Sequence, residues 1–267
     1  SQYTYSGYVV PAGMKTAVLA GGCFWCMEEA FERYGPGVIE AVSGFSGGDN
    51  ENPTYRNHPG HYEVIQVVYN PALTSYAVML DYYWRNIDPF DDTGQFCDKG
   101  YAYKPAIFYQ SEIERLVAVR SKAAIQAAHP EWDTIVVPIL AAELFWQAED
   151  YHQNYYITTE EWYRYYKSSC GRVSRLKSVW GTEEYYCFHS KTPTCKGMDK
   201  VVNNANKTVA IQINLKKTDD PDTAPLGLPA ELLAGTIIGI LVGVSCFAGG
   251  FYYLFRLRKR RMAPSQA

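Results

Sequence analysis

The sequence predicts an α+β fold, with a ferredoxin-like β-α-β-β-α-β core, extra helices and a strand, and one C-terminal transmembrane helix. The first observation behind this prediction is a hydrophobic pattern that switches between strand and helix periods in that order over roughly the first 180 residues. The second is an uncharged apolar run at residues 232–255. The third is the length of 267 residues, which is enough for one sizeable core and an appendage.

The core elements follow one another at short intervals. Strands are predicted where apolar residues run together or alternate, and helices where they recur every three or four positions. In chain order, the four predicted strands and two helices cover residues 17–20, 23–34, 38–45, 63–69, 74–86 and 103–109. This order is typical of the split βαβ arrangement, in which both helices pack on one face of an antiparallel sheet.

Additional elements are predicted after the core. A third helix follows Ser111, because Ser111 and Glu114 stand at the spacing of a capping box. A further strand is predicted at residues 134–140, and an aromatic-rich helical segment at residues 143–169.

The C-terminal part changes character. Residues 203–228 are rich in Asn, Lys, Thr, Asp and Pro, which favours a stalk. At ~1.5 Å per residue, the apolar run at 232–255 spans the ~30 Å hydrocarbon core of a bilayer, and a buried soluble helix is the alternative. The predicted organisation is an N-terminal extension at 1–15, the main domain at 16–181, an extension and stalk at 182–228, a transmembrane helix at 229–255 and a basic cytosolic tail at 256–267.

The distribution of charged residues predicts the orientation of the chain in the membrane and argues against nucleic acid as a partner. The only dense basic run is residues 256–261, so nucleic acid is not expected as a partner. Because this run follows the apolar segment, the positive-inside rule predicts a single-pass membrane protein whose main domain lies on the non-cytosolic side, in the secretory pathway or an organelle membrane. A stripe of small residues in the span predicts a transmembrane-helix partner that packs on Gly235, Gly239 and Gly243.

Cys23 and Cys26 form a C-x-x-C motif after the first strand. With Gly21 and Gly22 allowing a sharp turn, Cys23 is expected at a helix N-terminus, where free N–H groups favour a thiolate. A thioredoxin-like dithiol and half of a zinc site are the alternatives. Zinc is not expected, because the other cysteines form no second C-x-x-C pair.

Glu63 is predicted to lie on an apolar strand face with Ile65 and Val67. If it is buried there, its pKa rises and it becomes a general acid, whereas a solvated edge glutamate is the alternative. Tyr55 and Tyr103 lie in turn-rich segments and are candidate hydrogen-bond donors.

Five motifs together resemble the peptide methionine sulfoxide reductases of type A, the methionine-S-sulfoxide reductases. The resemblance covers about residues 16–172 and rests on GGCFWCMEEAF, SGFSGGDNENPTYR, GHYEV, GQFCDKGYAYKPAIFY and AEDYHQNYY. It implies a peptide-methionine (S)-S-oxide reductase that acts on oxidised proteins or free methionine sulfoxide through a cysteine sulfenic acid and a disulfide. The transmembrane segment makes this a membrane-anchored form, which is atypical of the family.

The resemblance also implies roles for individual residues. Cys23 is the implied nucleophile and Glu63 the implied acid. The supporting roles fall to Tyr55 and Tyr103 as donors, Asp98 in their network, and Phe24 and Trp25 as the pocket for the S-methyl group. A non-catalytic subunit or interaction module of a membrane complex is the alternative function.

A second thiol must resolve the sulfenic acid. The resemblance favours Cys170 in the C-terminal segment, and Cys26 is the alternative in forms with a C-F-W-C stretch. It implies no cofactor and no metal, only an external thiol reductant such as thioredoxin. Outside the resemblance, the spacing of Cys187 and Cys195 suits a small loop disulfide.

One departure from the family pattern concerns the active-site loop. Between Arg56 and Gly60 the chain is shorter than the usual family loop by about four residues, and this loop helps to shape the site. Full activity is therefore not implied by the resemblance alone.

Overall fold

A six-stranded mixed sheet forms the centre of the domain in the computed structural model, which describes residues 8–189. The strands of this sheet are β1 (Lys15–Gly21), β2 (Val38–Ser46), β3 (Tyr62–Tyr69), β6 (Pro105–Tyr109), β7 (Ile139–Ala141) and β8 (Trp146–Gln147). Two further short strands, β4 (Gly94–Gln95) and β5 (Asp98–Lys99), pair as a separate hairpin.

Seven α-helices accompany the strands in the described part of the chain. They are α1 (Phe24–Tyr34), α2 (Tyr76–Trp84), α3 (Glu112–Ala128), α4 (Tyr155–Thr158), α5 (Glu160–Ser169), α6 (Arg172–Trp180) and α7 (Thr182–Phe188). Ser111 caps α3 by accepting a hydrogen bond from the Glu114 N–H at 3.2 Å, as the sequence predicts.

The strand order is β7-β6-β1-β3-β2-β8. Its central part, β6-β1-β3-β2, is antiparallel throughout, and α1 and α2 make the two crossovers. This is the predicted β-α-β-β-α-β arrangement. Only β7 runs parallel to its neighbour β6, which makes the sheet mixed.

Side chains along each strand point alternately to the two faces of the sheet, and both faces are buried. In β1, Leu19 packs under the helices with Ile65 and Ile107, its cross-strand partners. The neighbouring residues Val18 and Ala20 face the opposite side. Both faces are covered, so the strands are almost continuously apolar.

The predicted strand at 134–140 is shorter in the structure and covers only Ile139–Ala141. The preceding residues form no strand, and the Val136 N–H donates to the Pro89 carbonyl at 2.9 Å instead. Pro138 has no N–H to donate to a strand ladder.

The helical prediction for residues 143–169 is wrong in its first half. Trp146–Gln147 forms β8, which pairs with Gly44 and Phe45 of β2, and regular helix begins only at α4. The free edge of β2 offers backbone hydrogen-bond partners that local sequence patterns do not reveal. Asn154, with a φ of 55°, is not helical, so no helix continues through it into α4.

The helices α6 and α7 complete the core, although no pattern predicted them. Trp180, Tyr185 and Phe188 are buried in the same apolar cluster as Tyr82. The Tyr82 hydroxyl donates a hydrogen bond to the Phe188 carbonyl, which ties α7 to α2.

Within residues 8–189, no helix combines the length and the apolar character needed to cross a bilayer. The predicted stalk, transmembrane helix, glycine stripe and basic tail lie outside the described residues.

Arg172 at the start of α6 is 3% exposed and joins three parts of the chain. Its guanidinium donates to the carbonyls of Gly21 at 3.2 Å and Asn86 at 2.7 Å, and it covers the ring of Phe96. The loop at the end of β1 is thereby fixed to α6.

We expect Arg172→Leu to lower the free energy of unfolding by about 3 kcal/mol, because two buried carbonyls lose their donor. Urea denaturation would measure this. Arg164→Leu is the matched control: the Arg164 side chain is 76% exposed, and the change there should stay within about 0.5 kcal/mol. Equal stability of the two variants would contradict the assignment.

Candidate active site

The loop between β1 and α1 places Cys23 at the N-cap of α1, as predicted. Two glycines make this turn possible. Gly22 has a φ of +79°, and a Cβ at Gly21 would lie 2.5 Å from the sulfur of Met27. Cys23 is nevertheless only 5% exposed, so its thiol lies at the base of the site.

Cys23 and Cys26 are both free and buried, and their thiols are hydrogen-bonded to each other. Burial raises the pKa of Cys23 well above its ordinary value. The hydrogen bond from Cys23 lowers the pKa of Cys26 to about 7, despite its burial. Burial of Cys23 thus opposes the thiolate that the helix N-terminus is expected to favour, and the hydrogen bond between the two thiols favours ionisation of Cys26 over that of Cys23.

Glu63 uses a backbone hydrogen-bond donor that could otherwise stabilise a Cys23 thiolate. Its carboxylate accepts the first free N–H of α1, that of Phe24, at 3.0 Å. Glu63 is 1% exposed, and burial raises its pKa to about 8 even though this hydrogen bond opposes the shift. The alternative of a solvated edge glutamate is thus excluded, and the group is protonated at neutral pH.

Tyr55, in the loop before β3, and Tyr103, in a 3-10 helical turn before β6, interact with Glu63 and are hydrogen-bonded to each other. Burial and the charge of Glu63 raise the pKa of both hydroxyls. Both tyrosines consequently keep their protons and serve as donors across the neutral range.

Asp98 lies on β5 at the other side of the thiol pair. It accepts a hydrogen bond from the Tyr166 hydroxyl at 2.5 Å, and the same hydroxyl is in hydrogen-bonding contact with the Cys23 thiol. Burial raises the pKa of Asp98. Tyr166 was missed by the sequence reasoning, because one more tyrosine on an aromatic helix carries no local signal.

Phe24 and Trp25 line the site with aromatic surface. Phe24 is 1% exposed and packs against Phe45, with ring centroids 5.8 Å apart. Trp25 is partly buried and stacks on Tyr155 at 3.9 Å. Together these rings form an aromatic wall beside the thiols.

His152 holds Trp25 in place and was not assigned a role from the sequence, although it stands in the AEDYHQNYY motif. The Trp25 indole N–H donates to His152 Nδ1 at 3.1 Å. Burial lowers the pKa of His152, so the ring stays neutral with its proton on Nε2. The imidazole also lies against Phe24 and Tyr55, with centroids 5.0 and 4.6 Å away.

The shortened loop after Tyr55 is closed by local bonds. Thr54 and Asn57 form an isolated bridge, and the His58 ring contacts the Thr54 carbonyl at 2.9 Å. Glu149 accepts the Tyr55 N–H at 3.1 Å from the opposite side. The short loop therefore still directs Tyr55 toward Glu63.

Cys170 does not lie free beside Cys23. It forms a disulfide with Cys97, which the sequence reasoning passed over, and the thiol adjacent to Cys23 is Cys26. Cys187 is also disulfide-bonded; Cys195, its expected partner, lies outside the described residues.

Among residues 8–189, one group has the composition of a metal site. It consists of Cys97, Asp98 and Cys170, whose ligand atoms lie within 4.8 Å of one another. The two sulfurs are bonded to each other, which removes both thiolates that a metal would require.

The geometry thus combines a thiol pair, a buried carboxyl group, two phenol donors and an aromatic wall. Such a site can bind a polar oxygen on an otherwise apolar sulfur compound and protonate that oxygen while a thiol attacks.

Comparison with known proteins agrees with this chemistry. The sequence model of the family described as peptide methionine sulfoxide reductase matches residues 15–184. Peptide methionine sulfoxide reductase MsrA 2 of Caulobacter vibrioides is 44% identical over 171 residues, which cover 62% of this chain and 86% of the relative. MsrA of Listeria monocytogenes is 40% identical over 171 residues, 62% of this chain and 96% of the relative.

Among solved structures, the reduced form of Mxr1 from Saccharomyces cerevisiae is similar, with a TM-score of 0.54 and 26% identity. The similarity covers 60% of this chain and 93% of Mxr1.

The raised pKa of Glu63 has a measurable effect on stability. The folded protein keeps this proton up to about pH 8, whereas the unfolded chain releases it near the ordinary value of 4.5. The contribution of Glu63 to the free energy of unfolding is therefore fully present below about pH 4.5 and is lost as the pH rises toward 8. We expect Glu63→Gln to raise the Tm relative to wild type more at pH 9 than at pH 5.

The matched control is Glu112→Gln, because the Glu112 pKa is lowered rather than raised. Its Tm difference from wild type should not increase between pH 5 and pH 9. If wild type and Glu63→Gln gave parallel Tm profiles, the buried, protonated state of Glu63 would be refuted.

Proposed function

The chain belongs to the peptide methionine sulfoxide reductase family, and we propose that it reduces the S epimer of methionine sulfoxide, in proteins or as the free amino acid, to methionine. One observation carries this proposal: the buried carboxyl group of Glu63 accepts a hydrogen bond from the first N–H of the helix that Cys23 caps. Nucleophile and acid are thereby held at one helix end.

In the proposed reaction, the sulfoxide oxygen binds Glu63, Tyr55 and Tyr103 while its sulfur faces Cys23. Cys23 passes its proton to the Cys26 thiolate and attacks the sulfoxide sulfur, as Glu63 protonates the oxygen. The S–O bond breaks and the oxygen passes to Cys23 Sγ as a hydroxyl group while the transient bond between Cys23 Sγ and the substrate sulfur breaks, so that methionine leaves and Cys23 becomes a sulfenic acid.

Phe24 and Trp25 receive the S-methyl group. Methyl and thioether groups pack favourably on aromatic rings, and a dry wall strengthens the hydrogen bonds to the oxygen. His152 positions the indole ring of Trp25 for this contact.

Cys26 is the better supported resolving thiol, because its sulfur is already hydrogen-bonded to that of Cys23. It attacks Cys23 Sγ, the hydroxide leaves as water, and a Cys23–Cys26 disulfide forms. The family resemblance favours Cys170 instead, but that sulfur is bonded to Cys97.

The cycle requires no prosthetic group. An external dithiol such as thioredoxin returns the disulfide to two thiols by exchange.

The proposal includes membrane anchoring through residues 229–255, with the reductase domain on the non-cytosolic side. Its support is the uncharged run at 232–255 and the basic residues that follow.

We expect Cys23→Ser to abolish reduction of a blocked methionine-S-sulfoxide, since a hydroxyl is a far weaker nucleophile. Glu63→Gln should lower kcat/KM by about 100-fold or more, because it removes the proton donor. Wild-type kcat/KM should fall as the pH rises through about 8, and this decline should be missing in Glu63→Gln. Glu112→Gln serves as the unaffected control; wild-type rates in Cys23→Ser would reject the assignment.

For the anchored form, sealed vesicles that carry the full chain should protect residues 1–228 from protease added on the cytosolic side. The basic tail should be cleaved, because it faces the protease. Digestion of the reductase domain under these conditions would reverse the proposed topology.

A further inference from the structure

The turn between β4 and β5 and the C-cap of α5 bring together three side chains that bind metals in other settings. Cys97, Asp98 and Cys170 place two sulfurs and a carboxylate oxygen within 4.8 Å of one another. The two sulfurs form a disulfide in the structure. We infer that these residues are a redox-controlled zinc site: after a dithiol has reduced the Cys97–Cys170 bond, they bind one Zn²⁺ ion, which keeps the pair from re-forming its disulfide.

The separations around Asp98 match those of a zinc site. Zinc binds thiolates at about 2.3 Å and carboxylates at about 2.0–2.2 Å in a tetrahedron, so a sulfur and an oxygen on one ion lie about 3.6 Å apart. Cys97 Sγ lies 3.7 Å from Asp98 Oδ1, and Cys170 Sγ lies 3.7 Å from Asp98 Oδ2. The Cα atoms of the two cysteines are 4.9 Å apart, so side-chain rotation can separate the sulfurs once their bond is broken.

Neighbouring groups orient two of the three ligands. The Tyr166 hydroxyl donates a hydrogen bond to Asp98 Oδ2 at 2.5 Å. The Cys97 N–H donates to Cys170 Sγ at 3.2 Å, which favours negative charge on that sulfur. Metal ligands in proteins are commonly held by such outer hydrogen bonds, which fix the direction of the ligand atom. The carboxylate and one sulfur are therefore already oriented before any ion binds.

The type of ligand and its exposure favour zinc among the common metal ions. Ca²⁺ and Mg²⁺ require oxygen ligands, and iron–sulfur clusters require four cysteines, whereas two thiolates and a carboxylate suit Zn²⁺. Cys97 is exposed and Asp98 is partly buried. An ion can therefore enter from solvent, and water can take the fourth position of the tetrahedron.

The chemistry balances with a dithiol and the ion alone. The dithiol gives two electrons and two protons to the Cys97–Cys170 bond and becomes a disulfide itself. Zn²⁺ then displaces both protons and binds the two thiolates without a change in its own oxidation state. The cation also relieves the repulsion among the two thiolates and the Asp98 carboxylate. Because both sulfurs are bound to zinc, neither is free to attack a disulfide.

The test is a titration of the full chain with Co²⁺, whose thiolate complexes in zinc sites absorb light by charge transfer. The chain is reduced with a dithiol, freed of it without air, and titrated. Reduced wild type should bind one Co²⁺ per chain with this absorption band, and excess Zn²⁺ should remove the band by displacing Co²⁺. Protein in which peptide mapping shows the Cys97–Cys170 bond intact should give no band.

Substitutions identify the ligands. Cys97→Ser/Cys170→Ser should lose the band. Asp98→Asn should weaken Co²⁺ binding by about tenfold or more, because a neutral amide oxygen replaces the carboxylate. Asp92→Asn is the matched control, since Asp92 is an exposed carboxylate on the same loop, and it should bind Co²⁺ like wild type. Far-UV circular dichroism verifies that each variant is folded.

The other cysteines that reduction sets free are tested separately. Cys23→Ser/Cys26→Ser and Cys187→Ser should each still bind one Co²⁺ with the same band. Absence of binding by reduced wild type, loss of binding in Cys23→Ser/Cys26→Ser, or binding that persists in Cys97→Ser/Cys170→Ser would overturn the site.

The protective effect has its own measurement. Oxidised glutathione should re-form the Cys97–Cys170 disulfide about tenfold or more slowly with one Zn²⁺ bound, and a chelator should restore the rate. An unchanged rate would overturn the protection of the pair by zinc. None of these experiments contains a sulfoxide, so their failure would leave the proposed reductase function untouched.

Discussion

The hydrogen bond from the Phe24 N–H to the Glu63 carboxyl group is the interaction on which the site depends. The first free N–H of a helix attracts negative charge, and at a C-x-x-C motif that charge is usually expected on the cysteine. Here the acid on β3 takes this N–H, so the carboxyl group and the Cys23 thiol are fixed on one helix end. Burial then decides the protonation of both groups, because neither is solvated enough to ionise at its ordinary pH.

Around this pair, the segments that follow the sheet supply the supporting groups. The short turn at residues 149–152 binds the Tyr55 backbone through Glu149 and the Trp25 indole through His152. The helix α5 contributes Tyr166, which links Cys23 to Asp98. The N-terminal half of the domain therefore contains the reacting groups, and the C-terminal half holds them in position.

The positions of the two main reacting groups could be predicted from local sequence patterns. Strand alternation placed Glu63 with Ile65 and Val67, and the Gly-Gly turn before a helical pattern placed Cys23 at the N-cap. Whether Glu63 was buried could not be decided in this way, because burial depends on what α1 covers.

The features that were missed all depend on contacts between residues far apart in the sequence. Cys97 and Cys170 are 73 residues apart, and no spacing rule pairs them. The bond of His152 to Trp25 spans 127 residues, and β8 forms only because β2 has a free edge.

The packing of α7 into the core limits how far the catalytic domain can be truncated at its C-terminal end. Tyr185 and Phe188 are core residues, and the Phe188 carbonyl accepts the buried Tyr82 hydroxyl. A fragment that stopped after Gly181 would expose apolar surface and leave that hydroxyl without its acceptor. The smallest recombinant fragment expected to remain monodisperse therefore extends through His189, five residues beyond the last residue that the family model matches.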